Sequence, residues 1–144
     1  MSWLARLQID YTLHEGTSRA HHQHVGPLRI LQSLYPEGPA VCHNVLVHPP
    51  GGLVGGDTLD LEVHVGPQAH GLLTTPGATR FYRSAAEPAR QNTYLRLAAG
   101  ARLEWLPLAS PSRTGTADHC GRLACPGGSG FPQHGCAGGA CRPG

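Results

Sequence analysis

Apolar and polar positions alternate in short runs through the first 108 residues. In LQIDYTL, Leu7, Ile9, Tyr11 and Leu13 share one face while Gln8, Asp10 and Thr12 share the other, the period of two that marks a half-buried strand. PLRILQSLYPEG gives a second run closed by a Pro-Glu-Gly turn, and VCHNVLVHPPGG a third closed by paired prolines and glycines. TLDLEVHV alternates without a fault, with Leu59, Leu61, Val63 and Val65 set against Asp60, Glu62 and His64. AHGLLTTPGATRFYR adds a fifth run with Pro-Gly at its centre. YLRLAAGARLEWLPL predicts a hairpin joined through Ala-Ala-Gly-Ala, with Leu95 and Leu97 facing Leu103 and Trp105. The best helical candidate, EPARQNTYL, is too short to stand alone. The pattern predicts an all-β body of about seven strands, arranged as a meander, a sandwich-like sheet or a stacked-strand β-solenoid.

Composition supports this picture and divides the chain in two. With 20 glycines and 13 prolines in 144 residues, turns are frequent and long helices are disfavoured. After Pro107 the pattern stops: residues 109–144 hold no valine or isoleucine, one leucine and one phenylalanine. Such a segment buries too little apolar surface to offset its ordering entropy. The expected organisation is one β domain over 1–108 and an irregular Gly/Pro/Cys-rich tail over 109–144. Charged residues make up 14% of the chain and the formal net charge is +2, so no broad basic footprint for nucleic acid or membrane is present. No window approaches the roughly 18 consecutive apolar residues of a membrane span, and MSWLARLQIDYTLHEG lacks a signal-peptide core. A cytoplasmic protein is expected.

Candidate chemistry concentrates in HPPGGLVGGD, residues 48–57. A phosphate-binding loop needs lysine with serine or threonine at a helix start. Here the glycines end at Asp57 and a strand follows. The glycines instead allow a tight reversal with Leu53 and Val54 dipping toward the core. As a metal site the loop offers His48 and Asp57, imidazole and carboxylate ligands suited to divalent nickel or zinc; the alternative is a turn-holding aspartate. Cys42 and His43 fall on opposite faces of their strand, so at most one of them joins His48. The histidine run AHHQH at 20–24 fits a solvated loop between strands. No G-x-S-x-G elbow or carboxylate pair points to an enzyme. In the tail, Cys120, Cys125, Cys136 and Cys141 with His119 and His134 form a loose zinc-like spacing without an apolar shell.

Four phrases in order, GPLRILQSLYPEG, CHNVLVHPPGGLVGGDTL, LLTTPGATRFYRS and LEWLP, resemble the N-terminal half of the UreD (UreH) urease accessory family over roughly residues 3–108. The resemblance implies a β-helical fold of stacked strands and no catalytic activity of its own. It further implies a scaffold that binds apo-urease and, with UreF and the GTPase UreG, helps deliver nickel. Asp57 and Ser84 match family positions near an internal nickel route, and His48 is added on chemical grounds. A transfer protein holds its ion weakly and transiently, because a closed four-ligand site keeps what it must release.

Members of that family continue past LEWLP with more alternating strands, whereas this chain turns to glycine, alanine, arginine, proline and cysteine. Those residues have GC-rich codons, the composition expected when a GC-rich gene is read out of frame near Ala109. A small metal-binding protein that uses the Cys/His tail is the competing reading. The nucleotide sequence around the Ala109 codon tests the first expectation: a shifted frame should continue the alternating pattern, and its absence removes the frameshift idea.

Overall fold

The computed structural model describes residues 3–47, 53–77 and 89–106, and the backbone of 118–124. Nine strands are present among them: β1 (Leu4–His14), β2 (Thr17–Val25), β3 (Arg29–Ile30), β4 (Val41–Val47), β5 (Thr58–Val65), β6 (His70–Thr74), β7 (Arg90–Leu97), β8 (Arg102–Leu106) and β9 (Asp118–Ala124). They form two sheets, one ordered β2-β1-β5-β7-β9 and the other β3-β4-β6-β8. The architecture is all-β, and no helix among the described residues is long and apolar enough to cross a membrane.

Parallel stacking organises the two sheets. β5 followed by β6 makes one rung and β7 followed by β8 makes the next, laid directly on it: Thr58 pairs with Arg90 and His70 pairs with Arg102, a step of 32 positions in both sheets. β1 and β4 pair in parallel with β5 and β6 on the opposite side, completing an earlier rung interrupted by β2 and β3. Alternation then does what the pattern predicts. Leu7 and Ile9 of β1, Leu61 and Val63 of β5, and Leu95 and Leu97 of β7 point inward and meet Cys42, Leu46, Leu73 and Leu103 from the facing sheet. Each buried aliphatic side chain adds about 1.5–3 kcal/mol relative to exposure.

The corners explain why the last two predicted strands are not a hairpin. Ala101 donates its N–H to Ala98 O and Ala69 donates to Gly66 O, so both connections close as four-residue turns. Within each, the third position has positive φ, 61° at Gln68 and 68° at Gly100. Together with Pro67 at the second position of the first turn, this is the type II pattern. Such a turn does not match the twist of a two-stranded ribbon. It passes the chain to the other sheet, so β7 pairs with β5, and β8 with β6. Leu95 and Leu97 therefore face Leu103 and Trp105 across the core. A true hairpin occurs earlier: Glu15 and Gly16 both have positive φ, 49° and 75°, the type I′ requirement, and β1 and β2 pair antiparallel across them.

Further differences from the pattern have physical causes. The 20–24 histidine run is strand, because β2 pairs through Val25 with Arg6; it stays largely exposed because the facing sheet does not cover it. PLRILQSLYPEG supplies only β3 and a bridge from Leu34 to His43, since its apolar residues do not keep a period of two. The segment with helical leaning enters β7 at Arg90. β9 lies in the segment for which the pattern gives no strand. Its pairing to β7 runs backbone to backbone, which needs no apolar side chains, only an edge with free N–H and C=O groups.

Gly71 packs closely against the Tyr11 ring in the interior. A Cβ at Gly71 would lie 2.8 Å from the Tyr11 ring, and Tyr11 is fully buried with no partner for its hydroxyl among the described residues. Burial pushes the Tyr11 phenol well above its ordinary value of 10.0, and nearby Cys42 adds to the effect. An unfolded tyrosine ionises near pH 10 while the buried one stays neutral. The contribution is therefore complete below pH 10 and declines as pH rises further. In urea unfolding, Gly71→Ala should cost about 1–3 kcal/mol by overpacking. Tyr11→Phe, which removes an orphan hydroxyl, should be neutral or stabilising at pH 7 and should lessen the stability loss above pH 10.

Candidate functional site

The segment singled out by its glycines links β4 of one sheet to β5 of the other, and its described part is built around Asp57. The side chain is 1% exposed. Its Oδ2 accepts the Val54 N–H at 3.0 Å and its Oδ1 accepts the Trp3 N–H at 3.3 Å. The backbone closes the same unit: Asp57 N–H donates to Val54 O, Thr58 N–H to Trp3 O, and Arg90 N–H to Asp57 O. One carboxylate thus ties a turn to the incoming end of β1 at the point where β1, β5 and β7 start in register. Gly56 has φ 86°, a conformation that a side chain would resist. Leu53 is buried as the pattern predicts. Val54 is exposed, because its N–H faces the carboxylate and its side chain turns outward.

His48 and Ser84 lie outside the described residues, as do Cys125, Cys136 and Cys141, and of Cys120 only the backbone is described. Cys42 is buried and free, donating its thiol to Asn44 Oδ1 at 3.4 Å, while Asn44 Nδ2 donates to Ser33 Oγ. His43 sits on the opposite face, 2.7 Å from Glu37. The two side chains diverge as their alternation requires. Cys42 also lies far along the core from Asp57, because it pairs with Gly71 beside the Tyr11 ring, whereas Asp57 adjoins the Leu4 end of β1.

Sequence alone does not reveal the cross-strand histidine pairs. His64 Nδ1 is 3.0 Å from Asp10 on β1, and its Nε2 is 2.9 Å from Glu62 on its own strand. His70 Nε2 is 2.8 Å from Glu104 on β8. Register brings Asp10 beside His64, and no local spacing signals it. The two carboxylates meet opposite ring nitrogens of His64, so they do not converge on one point where an ion would sit. Among the described residues no group of three or more His, Cys, Asp or Glu side chains is arranged to hold a metal.

Ser18 supplies the other polar anchor. Its Oγ donates to Ala40 O at 2.6 Å and accepts the His70 N–H at 3.0 Å, while Tyr35 OH donates to its carbonyl. These bonds fasten the β1–β2 hairpin to the start of β6. Asp57 and Ser18 thus hold the two ends of the stack, and both serve backbone geometry.

The model of the family described as UreD urease accessory protein matches residues 4–110. The chain belongs to the UreD family. It is 69% identical over 108 residues to a urease accessory protein UreD from Polaromonas sp. strain JS666, a match covering 75% of this chain and 39% of that protein. The Variovorax paradoxus protein of the same name is 67% identical over 108 residues, with the same shares covered. That of Leptothrix cholodnii is 61% identical over 110 residues, covering 75% of this chain and 40% of the relative. The chain therefore spans about two fifths of the length of these relatives, and residues 111–144 lie beyond the family match.

Asp57→Ala leaves the Trp3 and Val54 amides without their acceptor and should lower unfolding free energy by about 2 kcal/mol. Asp57→Asn, which keeps one carbonyl acceptor, should lose about half as much. Urea denaturation of the full chain checks both, and equal losses would show that the carboxylate geometry is not what holds the turn.

Proposed function

We propose that the chain is the N-terminal part of a urease-maturation scaffold, an accessory protein and not a catalyst. The family match over residues 4–110 carries this reading. The scaffold acts in the cytoplasm on apo-urease together with UreF and the GTPase UreG, and nickel is cargo that passes transiently. A rigid two-sheet stack suits such a role, because a packed β body offers fixed faces to several partners at once. Asp57, with His48 and Ser84, is the proposed point of nickel contact. The bonds from Asp57 to Trp3 and Val54 support a turn-holding role first, so contact with the ion at Asp57 requires those bonds to open. The tail cysteines take no part.

A chimera tests the proposal. Residues 1–108 of this chain replace the matched region of the Polaromonas sp. strain JS666 protein, and urease activation is measured in cells lacking their own UreD. Activity within about threefold of the unaltered relative is expected; a folded, soluble chimera without activation would overturn the reading. In the same chimera Asp57→Ala should lower complex assembly and urease nickel content together. Intact assembly with nickel-poor urease would assign Asp57 to the ion instead. Cys-to-Ser changes at 120, 125, 136 and 141 in the natural chain should leave its nickel retention on dialysis unchanged.

A further inference from the structure

The rung formed by β7 and β8 has two edges in different states. Backbone directions follow from the hydrogen bonds already given. Arg90 N–H donates to Asp57 O and Ala98 N–H to Val65 O, so the even-numbered amides of β7 face β5. Gln91, Thr93 and Leu95 then face the other way, toward β9. Likewise Arg102 N–H donates to Ala69 O, which turns Glu104 and Leu106 toward β6 and leaves the N–H and C=O groups of Leu103 and Trp105 pointing outward. Among the described residues no strand lies on that side of β8.

The family match ends at residue 110, four positions after β8 stops at Leu106, and the relatives extend well beyond the part this chain matches. β9, which covers the β7 edge, begins at Asp118, outside the match. Its step from β7 is 28 positions, Arg90 to Asp118, whereas the step from the β5–β6 rung to the β7–β8 rung is 32 and that from β4 to β6 is 29. A stack in which β5 and β6 are paired in parallel on both sides thus ends, among the described residues, with the β8 edge open and the β7 edge covered by a strand from outside the family pattern.

We infer that the β7–β8 rung is a docking surface for the remainder of a UreD-type chain supplied in trans, and that β9 is a displaceable placeholder on its β7 half. The incoming strands pair in parallel with Leu103 and Trp105 on β8, cover the apolar side chains of those two residues from the end of the core, and take over Gln91, Thr93 and Leu95 from β9. The partner is recognised by backbone register and by an inward apolar row, the same features that join β5 to β7 and β6 to β8. The inference rests on the stack and on family membership. It does not depend on nickel delivery, so its failure leaves the chimera experiment to judge the maturation role.

The test co-expresses the full chain with a tagged polypeptide comprising the part of the Polaromonas sp. strain JS666 protein that follows its matched 108 residues. Amide hydrogen exchange is then compared with that of the chain alone. Exchange at Leu103 and Trp105 should slow by about tenfold or more, and exchange at Cys120 and Arg122, whose N–H groups face β7 by the same alternation, should quicken by a similar factor. The double variant Cys120→Pro/Arg122→Pro removes those two donors without touching the family-matched body and should tighten capture of the remainder by about tenfold. Unchanged exchange at Leu103 and Trp105 overturns the docking surface. Slowing at those residues that needs only more of the chain itself also overturns it, because the occupant is then a second copy. Capture with Cys120 and Arg122 still protected overturns the placeholder.

Discussion

The common step of 32 residues in both sheets, from Thr58 to Arg90 and from His70 to Arg102, is the constraint on which the rest of the body depends. Two parallel ladders advance together only if every connection between them has a fixed length. The corner after β5 and the corner after β7 are accordingly the same four-residue turn, and they lie against each other through the Gln68 N–H to Ala99 O bond. Insertion of one residue at either corner would shift the following strand by one position and turn its inward row to solvent. The core needs no special pairs of side chains to specify it. It needs each rung to start in register, and Asp57 and Ser18 are buried where strands begin, while Asn44 and Thr93 are buried within β4 and β7.

Asp57 and Ser18 illustrate that placement. A carboxylate or hydroxyl removed from water is costly unless its bonds are met, and both residues meet theirs with backbone groups of other segments: Trp3 and Val54 for one, Ala40 and His70 for the other. Each converts a desolvation cost into a positional tie, Asp57 at the start of the β1–β5 ladder and Ser18 between the β1–β2 hairpin and β6. The Tyr11 hydroxyl has no such partner among the described residues. The ring packs on Gly71, where any side chain would collide, and the phenol remains un-ionised in the core.

Period-two alternation made β1, β4, β5 and the inward faces of β7 and β8 legible, because a half-buried strand writes its face directly into the order of residues. Strand partnership was not legible. A Leu-rich arm, a Gly-containing turn and a second Leu-rich arm fit a hairpin and a rung corner equally well, and the difference lies in the sign of φ at one or two turn positions. Gln68 shows the difficulty: it adopts φ 61° although glutamine carries no preference for it. The histidine run at 20–24 misled for another reason. Its strand is the outer arm of a hairpin at the sheet edge, so its exposure resembles that of a loop while its backbone pairs along β1. At the candidate site, the glycines and Asp57 stood out locally, whereas the Trp3 amide that Asp57 binds is 54 positions away and leaves no mark on the sequence around it.

The same physics bears on how a stack of this kind ends. A closed barrel has no edge and a helical bundle buries its own ladder, but a stack of parallel rungs always leaves a last strand with unmet backbone groups and an apolar row open at the end. Relatives that continue past the matched region extend the chain where this one changes composition. In this chain a segment poor in large aliphatic residues supplies β9, whose backbone pairs in parallel along β7. Backbone pairing satisfies the edge but buries little apolar surface, and burial is the larger source of stability. A strand held by its ladder alone is therefore bound more weakly than one that also completes the core. That difference in binding lets an edge be covered in one state of the chain and built upon in another.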